Sequence, residues 1–456
     1  MLIRFNVKNF LSFDSMQEFS MIGGKVRRKS SHITDDRNIK LLKFAALYGA
    51  NASGKSNLVH AISFAQRAIV HRLPKAHTAK YCKVDTANRQ KDSYFEFEIK
   101  IGGAYYAYGF EIRLNTSRFT SEWLVRLMPN GIDKTIFSRD IEKGTYSIDT
   151  YFKNKRLKDR LDVYADDIKT DGSILFLKLM NQNKERFYLD NEEAAPLQDV
   201  FIWLKRKLDV NLADRPITNY SYFLSHEHEE INRIISAFGT GITDVHFKVV
   251  SPESELMNLP AEIVTDIREE LEKKKADSEK VKKVPNQIML RINNKDFIIF
   301  ELDNDSELQA KTIQFNHGND DILFSLSEES DGTARLLDLL EVLFHAHDEK
   351  VFVIDEIDRC LHPQLTYRFV ETFLKLAAES DIQLIVTTHE SRLLDFGLLR
   401  RDEVWFVDKD TEGASSLYSL EEYNTRFDQK IDKAYLEGRY GGVPIFNTIF
   451  PFKEDR

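Results

Sequence analysis

Eight consecutive residues, Gly49-Ala50-Asn51-Ala52-Ser53-Gly54-Lys55-Ser56, constrain this chain more than any other stretch. Glycine, four residues, then Gly-Lys-Ser is the P-loop pattern. Small residues let the backbone curl until several N–H groups face one phosphate, and a following helix adds the positive end of its dipole. The flanks have the character such a loop requires. The apolar run Leu41-Leu42-Lys43-Phe44-Ala45-Ala46-Leu47-Tyr48 predicts a strand leading in. Leu58, Ile62, Ala65 and Ile69, at three- and four-residue steps, predict an amphipathic helix leading out. Gly49, Asn51, Ser53, Gly54, Lys55, Ser56 and Asn57 are therefore the candidate nucleotide-binding residues. Lys55 would neutralise the β- and γ-phosphates of ATP, and the Ser56 hydroxyl would ligate Mg²⁺.

A second acidic element suits the first. Val351-Phe352-Val353-Ile354 reads as a buried strand that ends in the adjacent carboxylates Asp355 and Glu356. Asp355 at the sheet edge would hold the Mg²⁺ shell, and Glu356 would act as general base toward the attacking water. Ser330-Asp331-Gly332-Thr333 precedes a helical pattern. It offers either an ordinary N-cap or a second anion cradle without a lysine, with Ser330, Gly332 and Thr333 as its donors. Thr387-Thr388-His389 closes the next strand, where His389 is placed to contact the γ-phosphate or the water.

The order of these pieces is P-loop, long interval, Ser-x-Gly-Thr, helix, Asp-Glu strand, Asp358, and a strand ending in His389. It resembles the ABC-type ATPases of the SMC, RecF and overcoming-lysogenization-defect (OLD) group. Asn9-Phe10-Leu11-Ser12-Phe13 is similar to that group's opening motif, and Asp355-Glu356-Ile357-Asp358 with Leu361-His362-Pro363 is similar to its Walker B and D-loop segment. The resemblance implies an α/β, ABC-type P-loop ATPase with a discontinuous core and ATP and Mg²⁺ as cofactors. Asp358 would be the D-loop residue, Glu356 and His389 the catalytic pair, and Ser56 and Asp355 the metal ligands. It further implies a head-to-tail homodimer or higher homo-oligomer, in which Ser330, Gly332 and Thr333 of one copy complete the P-loop site of another. The Ser-Asp-Gly-Thr form departs from the transporter Leu-Ser-Gly-Gly-Gln signature, and no Q-loop can be placed.

Three regions are expected: 1–195 as an N-terminal lobe, 196–310 as a largely helical insertion, and 311–456 as a C-terminal lobe. Tyr94 to Ile99 and Tyr105 to Ile112 predict a hairpin turning at Gly102-Gly103. Strands alternating with helices after about residue 310 predict a parallel sheet. Residues 262–283 predict an exposed helix, half of a short antiparallel coil, with Glu269/Lys273, Glu270/Lys274 and Glu279/Lys283 spaced for pairing. With two cysteines and no run of 18 apolar residues, the chain is expected in the cytoplasm, with no disulfide framework and no membrane span.

The net charge of −9 argues against a chain that coats nucleic acid along its whole surface. The basic stretches Lys25 to Lys29 and Lys153 to Arg160 are either solvated faces or places that attract DNA or an acidic DNA mimic. His226-Glu227-His228 and Asp303-Asn304-Asp305 are read as a solvated helix start and an exposed turn rather than metal sites. OLD nucleases carry a Toprim domain after the ATPase, for which no room is left here, so a nuclease would sit on another polypeptide. Arg401-Asp402-Glu403-Val404-Trp405-Phe406 and the tail Ala434 to Pro444 resemble stand-alone ATPases of bacterial anti-phage systems, in particular those of the phage anti-restriction induced (PARIS) systems. That resemblance implies a scaffold that holds a Toprim-nuclease effector and releases it on sensing a phage anti-restriction protein that mimics DNA. Two other readings stay open: a RecF- or SMC-like repair ATPase that closes on duplex DNA, and a nucleotide-gated scaffold with negligible turnover.

Overall fold

The strand before the P-loop, Phe44–Tyr48, is buried along its whole length. Such a continuous apolar run suits the middle of a parallel sheet covered on both faces. The computed structural model describes residues 1–36, 38–74, 76–148, 151–213, 222–252, 261–278, 287–291, 297–303, 307–319, 321–345, 349–422 and 435. The chain divides into two compact units, one of residues 1–212, 346–357 and 374–456, the other of residues 213–345 and 358–373.

The first unit holds two large sheets. One has six strands in the order Leu208–Asn211, Val351–Ile354, Gln383–Thr387, Phe44–Tyr48, Val404–Lys409, Ser415–Ser419. All neighbours are parallel except the last pair. The other sheet has seven antiparallel strands, in the order Thr145–Ser147, Lys134–Asp140, Arg118–Leu127, Ala104–Arg113, Ser93–Ile101, Leu2–Lys8, Gln17–Ser20. Ser93–Ile101 alternates buried and half-buried residues, the pattern of a sheet with one face on the core. Gly102 (φ 52°) and Gly103 (φ 80°) make the predicted turn, where a two-residue type I′ loop needs two positive φ angles. The fully buried Gln383 amide ties the first strand to the parallel sheet. Its oxygen accepts from Leu2 N at 2.6 Å, and its nitrogen donates to the carbonyls of Leu2 (3.0 Å) and Leu42 (2.9 Å).

A buried ionic network holds residues 168–177 to the antiparallel sheet. The Glu122 carboxylate accepts from the amides of Phe176 (2.7 Å) and Leu177 (3.0 Å) and from the Tyr108 hydroxyl (3.0 Å), and lies 3.3 Å from the Arg139 guanidinium. Arg139 in turn donates to the carbonyls of Ile168 (2.7 Å) and Ile174 (2.6 Å). Burial pushes the Glu122 carboxyl above its ordinary range, and Arg139 and the other donors pull it back. All four neighbours are donors, which only the ionised form accepts in full.

The second unit corrects the expectation of a largely helical 196–310. Helix Ala195–Ile202 belongs to the first unit and helices His228–Ala237 and Ala261–Ser278 to the second, but Asp244–Val250, Gln287–Arg291 and Phe297–Leu302 are strands. With Leu308–Asn316 they form an antiparallel sheet in the order Asp244–Val250, Leu308–Asn316, Phe297–Leu302, Gln287–Arg291, and Leu323–Ser325 also pairs with Leu308–Asn316. Each strand is short, and runs such as Phe297-Ile298-Ile299-Phe300 have no periodicity that separates a buried strand from a piece of helix. The coil reading is corrected too. Ile267 and Leu271 of the charged helix are buried with Ile288, Ile298, Phe300 and Ala310 of the sheet. Of the expected ion pairs, Glu270–Lys274 forms at 3.5 Å, whereas the Lys273 side chain and the Glu279/Lys283 pair lie outside the described residues.

Candidate functional site

In the first unit the chain leaves Phe44–Tyr48, turns through the P-loop and enters the helix Lys55–Val70. The turn needs left-handed backbone at Ala52 (φ 64°) and at the helix N-cap Gly54 (φ 117°). Glycine is required at 54 on space as well, since a Cβ there would lie 2.5 Å from Ser415 Oγ and 2.9 Å from Ser12 Oγ. Lys55 is buried, and its ammonium donates to the loop's own carbonyls, Gly49 O at 2.8 Å and Ala50 O at 3.1 Å. The Ser53 hydroxyl is buried without a hydrogen-bond partner, an unsatisfied polar atom inside the loop. Asn51 is exposed, and Asn57 donates to Ser12 Oγ at 2.7 Å.

The parallel sheet brings the acidic strand beside this loop. Ser56 Oγ donates to Asp355 Oδ1 at 3.1 Å, and Thr387 Oγ1 donates to the same oxygen at 2.6 Å. The Thr387 hydroxyl also accepts the amide of Glu356 at 2.8 Å, so one side chain orients both carboxylate residues. Glu356 is half-buried and sits at φ 50°, a left-handed conformation that costs a non-glycine residue about 1–2 kcal/mol. The Ile357 amide, bonded to Thr387 O at 3.1 Å, helps hold that turn. His389 is exposed at the end of the strand Gln383–Thr387. Thr387, Ser12 and Ser415 also shape the site: the sequence motifs that contain Thr387 and Ser12 give those two side chains no such role, and Ser415 lies in none of the motifs. Thr387 leaves one trace, a hydroxyl closing the apolar run Leu384-Ile385-Val386.

Ser330, Gly332, Thr333 and Asp358 belong to the second unit. Ser330 caps the helix Asp331–Phe344, accepting the Thr333 amide at 3.0 Å, with the two hydroxyls 2.9 Å apart. Ser330 is exposed and Asp358 is half-buried. A Cβ on Gly332 would lie 2.8 Å from the Cys360 carbonyl oxygen, so the helix start and the segment after Asp358 pack at glycine distance. Gly332→Ala should therefore destabilise the second unit by about 1–3 kcal/mol, because backbone cannot yield as a side chain does. An ordinary Gly→Ala gain in a helix is at most about 1 kcal/mol in the other direction. Denaturant unfolding of the variant checks this, and an unchanged midpoint would refute the packing argument.

Other singled-out segments have structural employment. His228 bonds the Val245 carbonyl, and the His226 ring packs 4.6 Å from that of Phe344. Among the described residues no group of three or more His, Cys, Asp or Glu could hold a metal. Asn304, Asp305 and the tail from Ala434 to Pro444, apart from Tyr435, lie outside the described residues. In the 401–406 segment Asp402 pairs with the buried Arg400, and Glu403 lies 2.8 Å from His32 Nδ1. Arg400 also donates to the carbonyls of Val26 (3.2 Å) and Arg28 (2.7 Å), which leaves Lys25, Arg27 and Arg28 exposed on a held loop. Lys155 and Arg156 are exposed at the start of the helix Lys155–Asp167. No described helix is long and apolar enough to cross a membrane.

Comparison with known proteins agrees with the P-loop ATPase fold of this site. Among solved structures, the chain is similar to an SmcHead bound to the C-winged helix domain of ScpA (15% identity, TM-score 0.40, covering 92% of this chain and 97% of that one). It is likewise similar to the SMC head domain from Thermotoga maritima (16%, 0.36, 92% and 98%). A third is the Smc head domain with an extended coiled coil bound to the C-terminal domain of ScpA derived from Pyrococcus furiosus (15%, 0.40, 96% and 99%). These likenesses are too distant to carry function. No curated protein matches. A family model described as "AAA domain, putative AbiEii toxin, Type IV TA system" matches residues 44–149 and 142–395, which takes in the P-loop, Asp355, Glu356 and His389. With a strand–loop–helix phosphate cradle facing a carboxylate-tipped strand, and most of its length matched, this chain belongs to that AAA-domain family.

Proposed function

We propose that the chain binds and hydrolyses ATP at Gly49–Asn57, Asp355 and Glu356. The observation that carries the reading is the Ser56–Asp355–Thr387–Glu356 constellation, held at hydrogen-bond distance between two neighbouring strands of one sheet and the P-loop helix. The loop fits a triphosphate: its lysine is buried among loop carbonyls, and Gly54 leaves no room for a side chain. Ser56 Oγ and the Asp355 carboxylate are the hard oxygen donors that Mg²⁺ prefers. Mg²⁺, when bound, neutralises charge developing on the phosphates. Lys55 would turn from the Gly49 and Ala50 carbonyls to the β- and γ-phosphates. Glu356 would take a proton from the water whose oxygen attacks the γ-phosphorus as the bond to ADP breaks, and His389 would contact the γ-phosphate from the next strand.

Each chain has one P-loop and one Ser330-Asp331-Gly332-Thr333, so two copies would form two complete sites, with Ser330, Gly332 and Thr333 acting across the interface and Asp358 beside them. The cellular role we infer is that of a nucleotide-switched sensor and scaffold in anti-phage defence, holding a Toprim-type nuclease and releasing it when a DNA-mimicking anti-restriction protein docks. Its support is the resemblance of 401–406 and 434–444 to ATPases of such systems. Lys55→Ala should weaken ATP binding at least about 100-fold, since a charge-assisted contact to a polyanion and its buried setting are lost together. Calorimetric titration of full-length protein with Mg-ATP measures it, and wild-type affinity would discredit the site. Hydrolysis stimulated severalfold by duplex DNA, and lost as salt rises, would instead favour the repair reading.

A further inference from the structure

A P-loop is a poor architect of its own shape. Its residues are small, two of them sit in left-handed backbone, and its amides must stay turned toward an anion that is absent between catalytic cycles. Lys55 holds the Gly49 and Ala50 carbonyls from within the loop, and the Ser53 carbonyl is held from outside it. Two groups from the C-terminal part of the chain contact it. Ser415, at the start of the strand Ser415–Ser419, is buried with its hydroxyl 2.5 Å from the carbonyl oxygen of Ser53, the fifth loop residue. The same hydroxyl lies 2.7 Å from Ser12 Oγ, and the Ser415 amide donates to Ser12 O at 2.7 Å. Ser12 Oγ accepts from Asn57 in the first turn of the helix. One buried hydroxyl thus sits at the junction of the opening strand's loop, the P-loop and the P-loop helix.

Tyr435 holds the other end. Its ring stacks on Phe406 (5.6 Å between centroids) and meets Tyr48 edge-on (5.7 Å), against the strand that feeds the loop. Its hydroxyl faces the amide of Gly49, the first loop residue. Neither residue lies in a nucleotide motif, and both enter the site only through the fold.

We propose that Ser415 and Tyr435 are positioning residues of the nucleotide site, a C-terminal clasp that keeps the P-loop backbone shaped for the triphosphate. The proposal rests on the nucleotide reading of the loop. Ser415→Ala and Tyr435→Phe each remove one hydroxyl and leave the packing in place.

Mg-ATP titration and steady-state hydrolysis of the full chain test it, with Lys55→Ala as control. Each single variant should bind ATP about 2–10-fold more weakly, the worth of one hydrogen bond, with KM raised and kcat at saturation changed less than twofold. Ser415→Thr, which keeps the hydroxyl, should restore most of the affinity that Ser415→Ala loses, a rescue that general destabilisation would not produce. Wild-type affinity in both Ser415→Ala and Tyr435→Phe, with Lys55→Ala inactive in binding, would overturn the clasp alone. Wild-type affinity in Lys55→Ala would remove the nucleotide site and the clasp with it.

Discussion

Glu356→Gln should lower ATP turnover by about 100- to 10,000-fold, the range for loss of a general base, while ATP affinity stays within a few-fold of wild type. The substitution keeps the side chain's shape and its amide bond to Thr387 Oγ1, so the turn at φ 50° is preserved. What it removes is the group that takes the proton of the attacking water. If two copies close on two ATP molecules, the variant should also accumulate as a dimer in Mg-ATP, because hydrolysis no longer opens it. Single-turnover hydrolysis and mass measurement in solution read the two effects separately. Turnover unchanged by the substitution would exclude Glu356 as base, and if wild-type turnover is itself negligible it would favour the gated scaffold. A variant that remains monomeric at saturating Mg-ATP would sink the cross-copy site while leaving the base assignment intact.

The largest effect on stability should come from a residue far from any motif. Glu122→Ala is expected to cost about 3–5 kcal/mol, because it strands the Arg139 guanidinium in a place where it is almost fully buried. It also leaves the amides of Phe176 and Leu177 without their acceptor. Glu122→Gln keeps an acceptor oxygen and the shape, so it should lose less than the alanine variant but still destabilise by more than about 1 kcal/mol. Urea unfolding followed by circular dichroism gives both values. A loss below about 1 kcal/mol for the alanine variant would mean that water reaches Arg139 in the folded protein and the network is not dry. ATP affinity should change little in the fraction that remains folded, since the bonds that Glu122 makes run to Tyr108, Arg139, Phe176 and Leu177.

Local pattern was enough to locate the phosphate loop, because strand, glycine turn and amphipathic helix follow one another within about 30 residues and each has its own periodicity. The same holds for Val351–Ile354 and its two carboxylates, where an apolar run too short for a helix, set among the other motifs in order, is a buried strand with the carboxylates at its end. The hairpin at Gly102-Gly103 was legible for a similar reason, since two consecutive glycines between alternating strands leave few other turns. The strands between 244 and 310 were misread as part of a largely helical 196–310, because a charged helix dominates the pattern there while the strands are short and find partners only across long separations.

Contacts that join distant parts of the chain were illegible altogether. Nothing near Thr387 announces that its hydroxyl will bridge Asp355 and Glu356, nothing near Ser415 that it will meet Ser53, and nothing near Glu122 that four donors will converge on it. The residues by themselves determined which side chains are candidates for phosphate chemistry and on what kind of element each sits, since propensity and periodicity act over a few neighbouring residues. Only the tertiary structure decided what orients those side chains, because a hydrogen bond across 300 residues depends on where the two sheets place their ends and leaves no periodic trace in the chain.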